Sequence, residues 1–332
     1  MEFKELHKDK NTKNLTSIVL LTVIFGIASV FFGYLALPLA GASYAALLFY
    51  ENKNRRVLSY VLPVAIAFLD FSINWVNGYF SEQSLAYVAV GVVIYLCYSK
   101  KTEKNLCTVL LTVTLSAFLF IGILFLGFNE ADSASISALI DVVKGTYYQA
   151  KDTFISALTS ITSSDDFGVI YIPITREYAE QLFHIILQIL PAAVITFALL
   201  LSAIALKFFD IFTRKEKYQE KNPNWIFNPS NVTGIFYIIV AVLNALIFGT
   251  DIFTVTVYNI YIILLSVFAY LGFKFIYCIV TMKRSAFFAI TLILVSVLIF
   301  GTTAFAIVSY LGVYYTFISH KIKSNSDLQD HI

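Results

Sequence analysis

The chain has 332 residues, of which 59% are hydrophobic and 13% are charged. Soluble domains carry about 25% charged residues, so this composition excludes an ordinary soluble domain. It indicates an integral membrane protein that is embedded in the lipid bilayer. The 23 basic and 21 acidic residues nearly balance, and the basic clusters are short, so we expect no nucleic-acid partner.

The apolar runs predict an all-α, polytopic transmembrane helix bundle with eight or nine spans, since roughly 17–25 apolar residues cross a bilayer. Leu15–Tyr50 is too long for one helix and long enough for two short ones, with the break at Pro38 and Gly41. The other runs are Val57–Tyr79, Leu85–Ser99, Leu106–Phe128, Ala179–Leu206, Val232–Gly249, Thr254–Thr281 and Ala286–Leu311. The last apolar run reaches Ile318, so a short terminal hairpin is the alternative to a single ninth span.

Lysine and arginine residues collect in alternate loops, and this asymmetry predicts the orientation of the bundle. They lie in the N-terminal tail, in residues 51–56, 100–104 and 207–221, and at Lys283 and Arg284. All of these segments fall on one side of the membrane if Leu15–Tyr50 is a hairpin. We therefore expect a multi-pass membrane protein with a cytoplasmic N-terminus.

A charged link at residues 214–230 predicts the domain organisation. It separates a six-span membrane domain (1–213) from a three-span C-terminal region with a tail (231–332). Within the first domain, residues 129–178 form the one sizeable segment outside the spans. Apolar residues recur there at helical spacing from Ile136 to Ile161, which predicts an amphipathic helix with Gly145 as its weak point. Such a helix lies on the bundle surface or, in the functional interpretation, covers an outward cavity.

Asp70 lies near the middle of Val57–Tyr79, where an ionised carboxylate costs roughly 2.5–3.5 kcal/mol. Its side chain should therefore face protein or water. At about 100° per residue, Asn74 and Asn77 lie on the same helix face as Asp70. This span runs outward, so the three polar groups are expected in the middle and outer half of the membrane.

The Ala179–Leu206 run carries a matching stripe of polar residues, which Pro191 continues. This span begins at the outer side of the membrane. The candidate ligand-binding residues of the two stripes together are Asp70, Asn74, Asn77, Gln181, His184 and Gln188. They predict an outward-facing polar cavity for a small molecule, with Asp70 as its anchoring charge. The alternative is that the stripes only hydrogen-bond to one another, which is worth about 0.6 kcal/mol per pair.

The sequence offers no support for catalysis. It contains no nucleophile elbow, no HExxH motif and no phosphate-binding loop followed by lysine. Glu180 and His184 stand four residues apart, but two ligands do not make a metal site. Cys97, Cys107 and Cys278 form no CxxC unit, which argues against a zinc site or a disulfide framework. We expect no enzyme activity, no cofactor and no metal.

Four segments carry a family resemblance. They are QILPAAVITFALLLSAIALKFFDIFTRK (188–215), NWIFNP (224–229), NIYIILLSVFAYLGFKFIYCIV (259–280) and AIVSYLGVYYTFISHK (306–321). Their order resembles the YybS-like family of multi-pass bacterial membrane proteins, whose function is unassigned. That family has been grouped with the substrate-binding S-components of energy-coupling-factor vitamin transporters, which have six helices and both ends in the cytoplasm.

The resemblance implies an S-component-like six-helix half with a three-helix extension. The implied function is binding and uptake of a small polar solute from outside, with coupling and ATPase subunits as partners, because the chain has no ATPase motif of its own. The first span lacks the small-xxx-small alanine pattern with which S-components dock their coupling subunit. The alternative function is therefore a non-transporting membrane scaffold for envelope or signalling proteins.

Overall fold

The computed structural model describes residues 2–51, 57–76, 82–130, 136–161, 175–213, 227–247, 249, 251–282 and 284–329. Every regular element within these ranges is helical, which confirms the all-α class. The helices are α1 (Glu2–Phe32), α2 (Leu37–Tyr50), α3 (Val57–Val76), α4 (Gln83–Ser99), α5 (Lys104–Glu130), α6 (Ile136–Ile161), α7 (Arg176–Phe212), α8 (Asn231–Leu246), α9 (Ile252–Thr281), α10 (Ala286–Phe300) and α11 (Thr302–Gln329), with a 3-10 turn at Gly33–Leu35.

The chain forms two compact units. The first unit contains Met1–Ile186 and Phe197–Ile226, and the second contains Leu187–Thr196 and Phe227–Ile332. The middle of α7 thus belongs to the second unit, and both ends of α7 belong to the first. The predicted linker lies largely outside the described residues, so the predicted domain boundary at this point stays a prediction.

Among the described residues, five helices are long and apolar enough to cross a membrane. Their qualifying segments are Leu15–Leu35, Val57–Asn74, Lys104–Leu124, Arg176–Phe212 and Ile252–Thr281. These segments indicate that the chain is inserted in a membrane. The helices α2, α4, α8 and α10 are apolar but have only 14, 17, 16 and 15 residues. At 1.5 Å per residue they reach about 21–26 Å, less than the ~30 Å hydrocarbon thickness, so the number of eight or nine spans stays a prediction.

Helix α2 occupies the centre of the first unit. The chain turns into it through Gly33, whose φ of +57° favours glycine, and α2 has a proline in its first turn. Nearly all of α2 is buried against α1, α3 and α4. Its small residues allow close packing: a Cβ at Gly91 of α4 would lie 3.0 Å from the carbonyl oxygen of Gly41. Pro38 therefore marks the start of α2, whereas Gly41 is a packing position inside it.

The second unit is built on an antiparallel pair, α9 and α11. An added Cβ at Gly272 would lie 1.9 Å from the Val308 carbonyl oxygen, and one at Gly312 would lie 1.9 Å from the Phe268 carbonyl oxygen. The two backbones can approach this closely only because both positions are glycine. Tyr237 of α8 stacks on the ring of Phe268 at 5.0 Å between centroids, which brings α8 onto the pair.

The apolar run that begins at Ala286 is two helices rather than one span ending at Leu311. Gly301 separates α10 from α11 with φ +52° and ψ −131°, a conformation that only glycine adopts readily. Its N–H caps α10 by donating to the carbonyl oxygen of Val297 at 2.8 Å. The hydrophobic pattern is continuous across the break, so hydrophobicity alone does not reveal it.

Helix α6 is continuous through Gly145 and contacts the first turns of α7. The rings of Tyr147 and Phe154 each lie 5.6 Å from the ring of Phe183, measured between centroids. The 37 residues of α7 span about 55 Å, roughly 25 Å more than the hydrocarbon thickness. Helix α7 is therefore longer than one bilayer crossing requires.

Candidate functional site

Asp70 lies buried where α3 meets the first turn of α4. Its side chain is only 1% exposed. The Asn74 side-chain amide donates to Oδ1 of Asp70 at 2.6 Å, and the main-chain N–H of Ser84 donates to Oδ2 at 3.2 Å. The Asn74 amide also contacts the main-chain oxygen of Asp70 at 2.9 Å. An anion at a helix N-terminus is stabilised by the helix dipole, so this position suits an ionised carboxylate.

A second carboxyl group, Glu82, lies at the same end of α4, and the sequence analysis missed it. Glu82 is the N-cap residue of α4 and is 6% exposed. The Tyr34 hydroxyl forms a hydrogen bond with its Oε1 and also lies 2.7 Å from the carbonyl oxygen of Phe118. Gly122 of α5 leaves the space that Glu82 needs, because an added Cβ there would overlap with Oε1. The position just before a predicted helix was the available signal.

The hydrogen-bond partners of both carboxyl groups among the described residues are neutral groups. In the part of the chain that the structure describes, the ion pairs join Lys104 to Asp210 at 2.7 Å and Glu180 to both Lys151 and Arg176. None of these pairs includes Asp70 or Glu82. Buried carboxylates without a cation are costly within a membrane protein, so this end of α4 is suited to take up a proton or a cationic group.

The other predicted site residues are placed differently. Gln181 and His184 are exposed on α7, Gln188 is half-buried, and Asn77 lies outside the described residues. Within the described ranges, no hydrogen bond joins Asp70 or Asn74 to α7. The structure therefore brings Asp70 and Asn74 together; the role of Gln181, His184 and Gln188 in binding stays a prediction.

Gln188 takes part in a different feature, the turn of α7 around Pro191, which lies inside this continuous helix. Proline has no N–H and disturbs the helical hydrogen bonds around it. The side chain of Asn259 on α9 contacts this turn. Its Oδ1 accepts from the Ala192 N–H at 2.9 Å, and its Nδ2 donates to the Gln188 carbonyl at 2.9 Å and to the Val255 carbonyl at 2.8 Å. Asn259 thus bonds the two main-chain groups that would bond one another in a regular helix.

Metal-ligating side chains are not clustered in the described part of the chain: no group of three His, Cys, Asp or Glu residues could hold a metal ion there. The cysteines Cys97, Cys107 and Cys278 are free thiols.

Comparisons with known proteins found no matching family model, no matching curated protein and no matching solved structure. The resemblance to the YybS-like family stays a prediction from the sequence.

Proposed function

We propose that the chain is a multi-pass protein of the bacterial plasma membrane that binds a small polar solute from outside and takes part in its uptake. The observation that carries this proposal is Asp70, a carboxylate buried in a membrane-spanning helix with no basic partner among the described residues. Ionisable residues in such positions usually serve a ligand or ion pathway.

The chemistry around Asp70 favours a solute with an amino or hydroxyl group. Asp70 supplies an acceptor with negative charge, and the Asn74 amide supplies a donor and an acceptor next to it. In the S-component-like arrangement, six N-terminal spans hold this site and three further spans form the extension. The energy for uptake then comes from coupling and ATPase subunits or from a proton gradient.

Thiol accessibility tests the proposal. Ser84, next to the Asp70 carboxylate, is changed to Cys in a chain whose own three cysteines are replaced. In intact cells, membrane-impermeant thiol reagents should modify this thiol, and a cationic reagent should react faster than an anionic one of equal size. Asp70→Asn should remove that preference. Ser202→Cys in α7 is the control, because Ser202 is fully buried and bonded to the Ala198 carbonyl.

A second candidate function is a membrane scaffold for envelope or signalling proteins. It is favoured by the exposed polar side chains on the first turns of α7, which offer a surface for protein partners. The Lys151–Glu180 ion pair at 3.5 Å joins these turns to α6. Native mass spectrometry of the protein released from its own membranes separates the two functions. A co-released small molecule supports uptake, whereas an unreactive Ser84→Cys thiol together with bound protein partners supports the scaffold.

A further inference from the structure

Tyr34 presents one hydroxyl proton to two acceptor atoms. Its oxygen contacts Oε1 of Glu82 and lies 2.7 Å from the carbonyl oxygen of Phe118. A phenol has a single O–H donor, and a carbonyl oxygen can only accept. If Glu82 were ionised, Tyr34 could donate to only one of these atoms, and the other contact would bring two lone pairs together.

We propose that Glu82 is a buried proton-binding site, in which the protonated carboxylic acid donates to Tyr34 and Tyr34 donates to the Phe118 carbonyl. This arrangement satisfies both contacts with the protons available. Asp70 has the opposite pattern, since both of its oxygens accept from N–H groups, of Asn74 and Ser84, as those of an ionised carboxylate do. The end of α4 thus combines one anionic and one protonated carboxyl group.

The surroundings of Glu82 favour its neutral form. Its side chain is more than nine-tenths buried, and burial disfavours a charge. The charged group that reaches the same turn of α4 is Asp70 from α3, whose negative charge opposes a second one. Tyr34 from the 3-10 turn, with Phe118 and Gly122 from α5, adds no cation. Residues 15–50, which include the apolar part of α1 and all of α2, contain no charged side chain.

Infrared spectroscopy of the folded protein in lipid tests this inference without any solute. Protonated carboxylic acids absorb separately from carboxylates, and carbon-13 labelling of glutamate identifies the residue type. At neutral pH, the wild-type protein should show a protonated glutamic-acid band that Glu82→Gln removes and Asp70→Asn retains. The glutamine side chain can still donate to Tyr34, so this variant is expected to fold. A spectrum in which Glu82→Gln removes no such band overturns the proposal.

Tyr34→Phe provides a second, independent variant. It removes the acceptor for the Glu82 proton, so the protonated-acid band should shift in frequency or disappear. An unchanged band in this variant means that the proton is not donated to Tyr34, and this outcome also overturns the proposal. The infrared bands of Glu82→Gln and Tyr34→Phe report only on the proton of Glu82. Failure of this inference can therefore be distinguished from failure of the proposed solute uptake.

Discussion

The contact between Asn259 and the turn of α7 around Pro191 leads to a quantitative prediction about coupling between two helices. In the wild-type chain, Asn259→Leu removes the partner of the Ala192 N–H and of the Gln188 carbonyl. Interhelical side-chain hydrogen bonds in membranes are worth about 0.6 kcal/mol on average and up to about 1.7. Because two main-chain groups lose their partners, we expect Asn259→Leu to destabilise the fold by about 1–3 kcal/mol.

Pro191→Ala should remove most of the destabilisation that Asn259→Leu causes. In Pro191→Ala the regular helix can re-form, and the Ala192 N–H can bond directly to the Gln188 carbonyl. Asn259→Leu should then cost no more than about 0.6 kcal/mol, the value of an ordinary polar contact in a membrane. The double-mutant cycle therefore predicts a coupling free energy of about 1–2 kcal/mol between positions 191 and 259.

Reversible unfolding in mixed detergent micelles measures the four free energies of the cycle. Thr256→Val is the control on α9, because the hydroxyl of Thr256 is exposed and bonds only to Ile252 of its own helix in the described structure. This control should be additive with Pro191→Ala within about 0.5 kcal/mol. If Asn259→Leu lowers the free energy of unfolding equally in the wild-type and Pro191→Ala chains, then Asn259 does not substitute for a helical hydrogen bond near Pro191. This result would refute the predicted coupling.

Three further predictions concern helix packing and helix ends. Gly272→Ala should destabilise the second unit by about 1–3 kcal/mol, because the new Cβ would lie 1.9 Å from the Val308 carbonyl oxygen; thermal unfolding measures this. Lys101→Gly should stabilise the α4–α5 turn by about 1 kcal/mol and raise the unfolding temperature, because Lys101 has φ +54°. Hydrogen bonds from Thr254 hold the pKa of Asp251 below its ordinary value. The start of α9 should therefore be stable at pH above the ordinary pKa and should loosen as pH falls through the lowered pKa. Amide hydrogen exchange at Thr254 measures this.

Each of these predictions has a matched control. Gly234→Ala places its Cβ 3.5 Å from the nearest atoms, an ordinary contact, and should change stability much less than Gly272→Ala. Lys100→Gly alters a residue with φ −86° and should not stabilise the turn. Asp251→Asn should remove the pH dependence at the start of α9. Equal destabilisation by Gly234→Ala and Gly272→Ala would contradict the packing argument. Stabilisation by Lys100→Gly would contradict the argument from the positive φ of Lys101, and an unchanged pH profile in Asp251→Asn would contradict the argument from the pKa of Asp251.

The helices were predictable from the sequence because long apolar runs constrain secondary structure strongly. The burial of Asp70 and the helix face that it shares with Asn74 also followed from the spacing of polar residues along one helix. The break at Gly301 did not, because the short stretch of residues 301–303 lies between two strongly apolar segments that together resemble one span. Sequence periodicity also did not show that α7 continues from Arg176 to Phe212, which is longer than one bilayer thickness. The depth of Gln181 and His184 relative to Asp70 stays a prediction.

Tertiary contacts account for the remaining omissions. Glu82 gains its role from Tyr34 and Gly122, which are 48 residues before it and 40 residues after it in the sequence. Asn259 likewise acts on a proline in another helix, 68 residues away. Patterns within one helix do not encode such partners.

The burial of α2 has a consequence for biogenesis. During synthesis, α1 and α2 leave the ribosome before α4 exists, so Gly41 at first lacks the close contact that Gly91 later provides. A helix of 14 residues reaches about 21 Å and is too short to settle across the bilayer by itself. Stable placement of α2 therefore waits for α4, and chains truncated after α3 should leave α2 accessible to water-soluble labels that the complete protein excludes.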